Sequence, residues 1–525
     1  MANVVEPRES CAAEWGNRFL RFALIALSVV MVMVFLAAAL KRMRYPYEYD
    51  WIEDGVLMSV LRLRQGLPLY SAPDIHFTPY LYTPLYIWLA AMLSHVTGIG
   101  YNTLRLLSTL SSLGCFAVIY AFIFCETRRH YAAFAGVGLF AACYTVVGGA
   151  YDLGRVDTLW MFLVLCAIYA TRRINPLVAA ALWTCAFQAK QGVLPMAMLL
   201  MLWQWRTPRR VVSGVGGFIV MLAASIAWMA HSSGCCYLYY VFGMAGGYGF
   251  NIHTLAHIVP ADLLSVCGIA LVLAAAVWMV EKPEWNSAGL NFYLLGSIGL
   301  IGFTSYLRAH RGANTNAMIP AYAWASLLFG VALARLCTRL EQKRTAEARA
   351  VVGALLLAAL VQIGQHYYSP MSYVSTAEER AARDHFEAML RSIPGDVMVV
   401  SHPEDGLMAG KQEYAGSESA GSVIEAKAHE NGDKMMADYE SLIGGGTLSA
   451  VVLDSPAEYY LALPRAVVPH DFLRYYPVLV TDAGGDLNRF TSEPKYLYFP
   501  CPHQGKADTA RQLDAKVDES ACTSR

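Results

Sequence analysis

Four acids crowd the stretch 45-YPYEYDWIEDG-55: Glu48, Asp50, Glu53 and Asp54. Carboxylates so placed can take a proton as general base or hold a divalent cation. Three later segments supply partners. The first, 148-GGAYDLGRVDTLW-160, carries Asp152, Arg155 and Asp157; the second, 188-QAKQG-192, carries Lys190 and Gln191; the third, 308-RAHRGANTN-316, carries Arg308 and Arg311. Arginine and lysine hold phosphate oxygens. Asp157 and Lys190 stand at the mouths of apolar runs, where ionisable groups are costly and usually functional. Together these residues make a site for a polar, anionic, phosphate-bearing substrate at a membrane surface.

Each candidate has a plainer role. Glu48 and its neighbours can be solvated loop acids, and Asp54 can cap a helix over 56–65. Asp157 can cap the run that follows it. Lys190 can snorkel from a helix end, and Arg308 or Arg311 can anchor at the interface. His253 and His257, four apart, are a weak metal signal. The stripe Tyr45, Tyr47, Tyr49, Tyr80 and Tyr82 suits interfacial anchoring more than sugar stacking.

The elements that must position these groups are membrane helices. Of 525 residues, 56% are hydrophobic and 15% charged, against about 25% charged in a soluble protein. The charge is balanced, 40 basic against 40 acidic residues, and nothing in it points to nucleic acid. The run from Phe19 to Leu40 is long enough to span. With no small-residue cleavage site after it, the run is expected to be an uncleaved first helix. Further apolar runs lie at 103–125, 130–148, 157–171, 176–188, 192–205, 210–231, 262–280, 289–307, 317–337 and 350–368, so about eleven transmembrane helices are expected. The pair 176–188 and 192–205 can equally be one long broken helix. No CxxC pair with metal spacing and no internal repeat occurs.

Sidedness follows from basic residues. With the N-terminus cytoplasmic and 79–98 not spanning, the cytoplasmic loops collect Arg128, Arg129, Arg172, Arg173, the arginines of 206–210, Lys282 and the basic residues of 335–349. The outer loops keep Arg155, Lys190, Arg308 and Arg311. Residues 79–98 are therefore expected outside, as an interfacial or re-entrant segment, within a first outer loop over 41–102. Lys41, Arg42 and Arg44 go against this bias. Residues 56–66 read as a short amphipathic helix on the membrane. Beyond Tyr368 the composition changes. A helix over 376–392 and strands over 397–401 and 448–455 predict a small extracytoplasmic α/β domain over 369–525, following a membrane domain over 1–368. Its Cys501 and Cys522 would meet an oxidising compartment and can pair.

In order and sidedness, several motifs together resemble the GT-C glycosyltransferases, which include protein O-mannosyltransferases and lipid A aminoarabinose transferases. The motifs are 53-EDG-55, 66-GLPLY-70, 82-YTPLYIWLAAMLSHVTG-98, 105-RLLSTLSSL-113, 154-GRVDTLW-160 and 188-QAKQGVLP-195. The resemblance covers roughly residues 45–205 and the general layout. It implies a polytopic, mostly α protein of the inner or plasma membrane. Such a protein takes a sugar from a polyprenyl-phosphate donor and passes it, outside the membrane, to a lipid, glycan or protein acceptor. It assigns the first-loop acid as general base. The family usually reads Asp-Glu at this pair; here it is Glu53-Asp54. Motif position ranks Glu53 first, then Asp54, then Asp50. Asp157, Arg155, Lys190, Gln191, Arg308 and Arg311 then bind substrate and phosphate. No cofactor is implied with certainty; a divalent cation stays open, because family members differ. A transporter or flippase of a polar lipid is the rival function, disfavoured by one-sided charge and the lack of repeated halves. A glycan-binding module on a membrane anchor ranks last.

Overall fold

The computed structural model describes residues 7–500 except 204–206, 245–249, 282–287, 311–312, 426–428, 459–466, 470–471, 477 and 482–493. Arg311, Cys501 and Cys522 lie outside the described residues. The chain opens with α1 (Pro7–Arg42), α2 (Trp51–Arg64), α3 (Leu85–Thr97), α4 (Tyr101–Thr127), α5 (His130–Ala142), α6 (Val156–Arg173), α7 (Pro176–Ala189) and α8 (Leu194–Leu202). It continues through α9 (Pro208–Ser232), α10 (Ile252–Val280), α11 (residues 288–308), α12 (Thr315–Glu341) and α13 (Ala346–Gly364).

Among the described residues, six helices are long and apolar enough to cross a membrane: the apolar part of α1 from Ala13, then α4, α9, α10, α12 and α13. Shorter apolar helices accompany them (Leu85–Thr97, His130–Ala142, Pro176–Ala189 and Gln191–Leu202). Length alone therefore does not yield the eleven spans expected. The 13 residues of α3 rise about 20 Å, short of a hydrocarbon core of about 30 Å.

Two charged ends define the bundle. At one, Glu126 of α4 takes Arg172 and Arg173 of α6, and Glu341 of α12 takes Arg21 of α1. At the other, Arg42, Asp152, Asp157 and Lys190 meet. The α7–α8 pair is settled by these ends. Pro176 follows Arg173, Lys190 reaches Asp157, and Trp203 returns to lie under the Arg172 guanidinium, 5.0 Å from its ring centre. The two helices therefore run up and back, and do not form one long broken helix.

Close packing uses glycine where helices α5 and α12 touch. A Cβ at Gly330 would lie 2.6 Å from the Ala132 carbonyl oxygen, and one at Gly136 would lie 2.8 Å from that of Ser326. Small residues let backbones approach in this way where lipid provides no hydrophobic drive.

After α13 come α14 (Ala377–Ser392), β1 (Asp396–Val399), α15 (Pro403–Met408), β2 (Leu448–Leu453), β3 (Val478–Thr481) and β4 (Tyr496–Phe499). Helix α14 starts with a capping box: Thr376 accepts from the Glu379 amide while Glu379 reaches back to that of Thr376. The strand order is β1-β2-β4-β3, with β1 and β2 parallel and the other pairs antiparallel. This unit docks on the loop after α1. Tyr47 donates to Asp384 at 2.5 Å and the Ser375 amide donates to the Tyr49 hydroxyl at 3.2 Å, while the Ala415 amide reaches the segment after α2, donating to the Ile75 carbonyl at 2.8 Å. One apolar core runs through both parts.

Gly330→Val should overpack the α5–α12 contact and lower stability by about 1–3 kcal/mol. Thermal unfolding in detergent checks this; an unchanged melting temperature would show that the contact is not close.

Candidate active site

The loop after α1 takes its shape from Arg105, one turn into α4 and fully buried. A guanidinium has five N–H donors, and here all have acceptors. Nε and Nη2 donate to the Glu53 carboxylate at 3.0 and 2.7 Å; Nη1 donates to the carbonyls of Arg42 and Tyr45 at 3.0 and 2.7 Å; and Nη2 also donates to that of Tyr47 at 2.6 Å. Glu53 completes its own set with the amides of Tyr49 at 2.8 Å and Gly154 at 2.6 Å. Burial pushes the Glu53 carboxyl up, but Arg105 and the two amides more than offset this and hold it below its usual value. Gly154 comes this close because it has no side chain; a Cβ there would lie 3.1 Å from Glu53 Oε1. The first and second loops are thus tied together at one carboxylate.

Arg42, against the charge bias in sequence, makes a similar tie. Its Nη1 donates to Asp152 at 2.6 Å, the Tyr144 hydroxyl at 2.7 Å and the Gly149 carbonyl at 2.8 Å. Its charge is buried and paired with Asp152.

Beside these anchors runs a chain of alternating charges. Asp50 caps α2, accepting the Ile52 amide at 2.9 Å through Oδ1, and its Oδ2 takes Arg155 Nη1 at 2.8 Å. Arg155 Nε meets Asp157 at 3.2 Å, and Lys190 Nζ meets the other Asp157 oxygen at 2.6 Å. Asn316, in the first turn of α12, adds its amide to Asp157 at 3.3 Å. The rings of Tyr82 and Trp160 flank Lys190 at 5.7 and 5.3 Å. Asp157 is buried at 1% side-chain exposure, whereas Asp50 and Lys190 keep 21% and 22%. The two ends of the chain are therefore reachable by a ligand, and its middle is a buried support.

The structure thus brings Asp50, Arg155, Asp157 and Lys190 into one cluster. The other expected residues stand elsewhere. Glu53 is enclosed by donors. Asp54 sits in the first turn of α2, which begins at Trp51 and not at 56, so Asp50 and not Asp54 is the cap. Asp54 accepts from Tyr101 and faces the sheet unit. Glu48, expected to be solvated, is buried against Arg383 and His402. Gln191 donates to the Leu81 carbonyl at 2.7 Å and so holds 79–98 beside the cluster. Arg308 donates to the Ala313 carbonyl at 2.6 Å and lies 3.4 Å from Asp262, outside the chain of charges. His253 and His257 lie exposed on the first turns of α10. Sequence reasoning assigned nothing to Arg105; its signal was a guanidinium inside an apolar helix. Nor did it assign anything to Arg383, His402, Asp405 or Asp454, which carry no motif.

The fold, a bundle of apolar helices with a polar site at one end beneath a C-terminal sheet unit, is shared with solved structures. The solved structures it matches include ArnT from Cupriavidus metallidurans. The apo form has a TM-score of 0.57 at 13% identity, covering 90% of this chain and 97% of that one. The form bound to undecaprenyl phosphate has a TM-score of 0.55 at 14% identity, with the same coverage. The archaeal oligosaccharyltransferase AglB from Archaeoglobus fulgidus, in complex with an inhibitory peptide and a dolichol-phosphate, aligns with a TM-score of 0.50 at 11% identity, covering 92% of this chain and 74% of that one. No protein-family model and no curated protein matches the sequence.

Removing Arg105 strands a buried carboxylate and three carbonyls. Arg105→Ala should cost about 3–5 kcal/mol. Arg105→Lys should not restore stability, because an ammonium has three donors and no fork. Thermal unfolding and amide exchange over 45–55 test this, and wild-type protection in the lysine variant would refute it.

Proposed function

We propose that the chain is a glycosyltransferase that moves a sugar from a polyprenyl-phosphate carrier to an acceptor at the outer face of the membrane. The observation that carries this reading is the half-open pair of ends, Asp50 and Lys190, joined through Arg155 and Asp157. A carboxylate that can take a proton lies beside an accessible cation, Lys190, that can take a phosphate, with the buried Arg155 charge behind it. The likeness to folds solved with undecaprenyl phosphate and dolichol-phosphate supports the same donor class.

In this reading Asp50, not Glu53, is the base. Glu53 already accepts from Arg105 and two amides, so no lone pair faces a substrate. Asp50 removes the proton from an acceptor hydroxyl or amine. The acceptor atom bonds to the anomeric carbon as the carbon–oxygen bond to phosphate breaks, and the electron pair leaves on the phosphate. The phosphodiester monoanion becomes a phosphate monoester with a second negative charge, which Lys190 and Arg155 stabilise. Polyprenyl phosphate is a good leaving group, so no strong acid is needed opposite the base. Asp157 holds both cations in place through its two oxygens. A single displacement inverts the anomeric configuration.

Burial pushes the Asp50 carboxyl above its usual value, and Arg155 offsets this only in part. A base must be deprotonated, so transfer should fall as pH drops through that raised value, above the ordinary aspartate range. Transfer from a radiolabelled polyprenyl-phosphate sugar in proteoliposomes tests this. Asp50→Asn should lose about 10²–10⁴-fold in kcat and the acid limb with it. Unchanged transfer in that variant would rule out Asp50 as the base. Label crossing the vesicle with no new covalent product would favour a flippase.

A further inference from the structure

A second buried polar cluster lies between the loop after α1 and the sheet unit, apart from the Asp50–Lys190 chain. His402 ends the turn after β1 and is fully buried. Its Nε2 lies 3.1 Å from Asp454 at the end of β2, and its Nδ1 touches a Glu48 carboxylate oxygen. Arg383 of α14 holds Glu48 at 2.8 Å and Asp405 of α15 at 2.5 Å. One ligand atom from each of Glu48, His402 and Asp405 lies within 4.8 Å of the other two.

We propose that Glu48, His402 and Asp405 bind a divalent transition-metal ion of zinc's class, which clamps the first outer loop to the C-terminal unit.

Three observations support it besides proximity. First, Asp454 on Nε2 fixes the imidazole tautomer and aims the other nitrogen at the two carboxylates. A carboxylate behind a histidine is the usual support of a metal-bound imidazole. Second, Arg383 takes one oxygen of Glu48 and one of Asp405, drawing both carboxylates to one point. Third, the cluster is rich in carboxyl groups: Glu48, Asp405 and Asp454 share Arg383 and His402 as their basic partners among the described residues, and Asp54 and Glu404 are buried beside them. Glu404 is buried in this group, and its Oε2 has no hydrogen-bond partner among the described residues. One nitrogen and two carboxylate oxygens suit zinc or a similar borderline ion, with the fourth position left to water or a neighbouring carboxylate. Ligand bonds of about 2.0–2.2 Å would set the ligand atoms roughly 3.4 Å apart, so the ion enters by small rotations of Glu48 and His402. Glu48 precedes Asp50 by two residues. The ion would therefore steady the loop that carries the proposed base without touching the substrate.

The test uses the full chain purified in detergent, with metal content measured by mass spectrometry after exchange into metal-free buffer. About one equivalent per chain is expected, falling below about a tenth in His402→Gln and Asp405→Asn, while His253→Gln keeps it. Zinc added to chelator-stripped wild type should raise its melting temperature, with no rise in His402→Gln. Should His402→Gln fail to fold, cobalt added to stripped wild type gives a second measurement: visible bands typical of four-coordinate cobalt with nitrogen and oxygen ligands. Metal-free wild type that neither binds nor is stabilised by zinc or cobalt would overturn the proposal, leaving a proton between Glu48 and His402. Metal retained in His402→Gln would overturn the assigned ligands. None of these readouts depends on sugar transfer, so failure here leaves the transferase reading standing.

Discussion

A buried cation with five acceptors, Arg105, organises the end of the bundle that carries the charge cluster. The chain between α1 and α2 has no repeating hydrogen-bond pattern, so its carbonyls must find donors elsewhere or be left unpaired at a cost. Arg105 collects three of them, from Arg42, Tyr45 and Tyr47, and balances its charge on Glu53. Glu53 then takes the amide of Gly154, in the second loop. One side chain on α4 thereby sets the relative positions of the two segments that carry Asp50 and Arg155. Moving it would shift both halves of the site.

The four acids of the first loop separate for a geometric reason. On a helix, consecutive side chains point about 100° apart. Glu53 and Asp54 both lie in the first turn of α2 and so cannot share a cavity. Glu53 turns toward α4 and the second loop, whereas Asp54 turns toward Tyr101 and the sheet unit. Asp50, as cap, is the one that keeps an oxygen for Arg155. Glu48, before the helix, reaches Arg383 and His402. A tight group in sequence is thus divided among a structural tie, the chain of charges from Asp50 to Lys190, and the cluster around His402.

The same distribution bears on how the C-terminal unit matters to the helical bundle. It packs directly on the loop that holds Asp50, through Tyr47, Tyr49 and Glu48. Any movement of α14 or α15 is felt two residues from the proposed base. Lys190, by contrast, rests on α7 and the rings of Tyr82 and Trp160, within the bundle. One wall of the site belongs to the membrane helices, and the other depends on the C-terminal unit.

Much of this was legible in the residues alone. Apolar runs marked the main helices, because a membrane leaves the backbone few alternatives. Helical periodicity over 376–392 announced α14, and the buried apolar runs at 397–401 and 448–455 announced β1 and β2. The gathering of Asp157, Lys190 and a first-loop acid followed from their positions at helix mouths on one side. What sequence could not decide was which acid joins the cluster of Arg155, Asp157 and Lys190. That depends on where α2 begins, and Asp50 as cap moved the start to Trp51. Nor could it decide what Arg105 and His402 do, since their partners are far along the chain: Gly154 for the tie that Arg105 and Glu53 make, Glu48 and Asp454 for His402. Periodicity encodes which face of an element is buried. The pairing of buried charges is settled only when elements distant in sequence pack and every desolvated donor must find its acceptor.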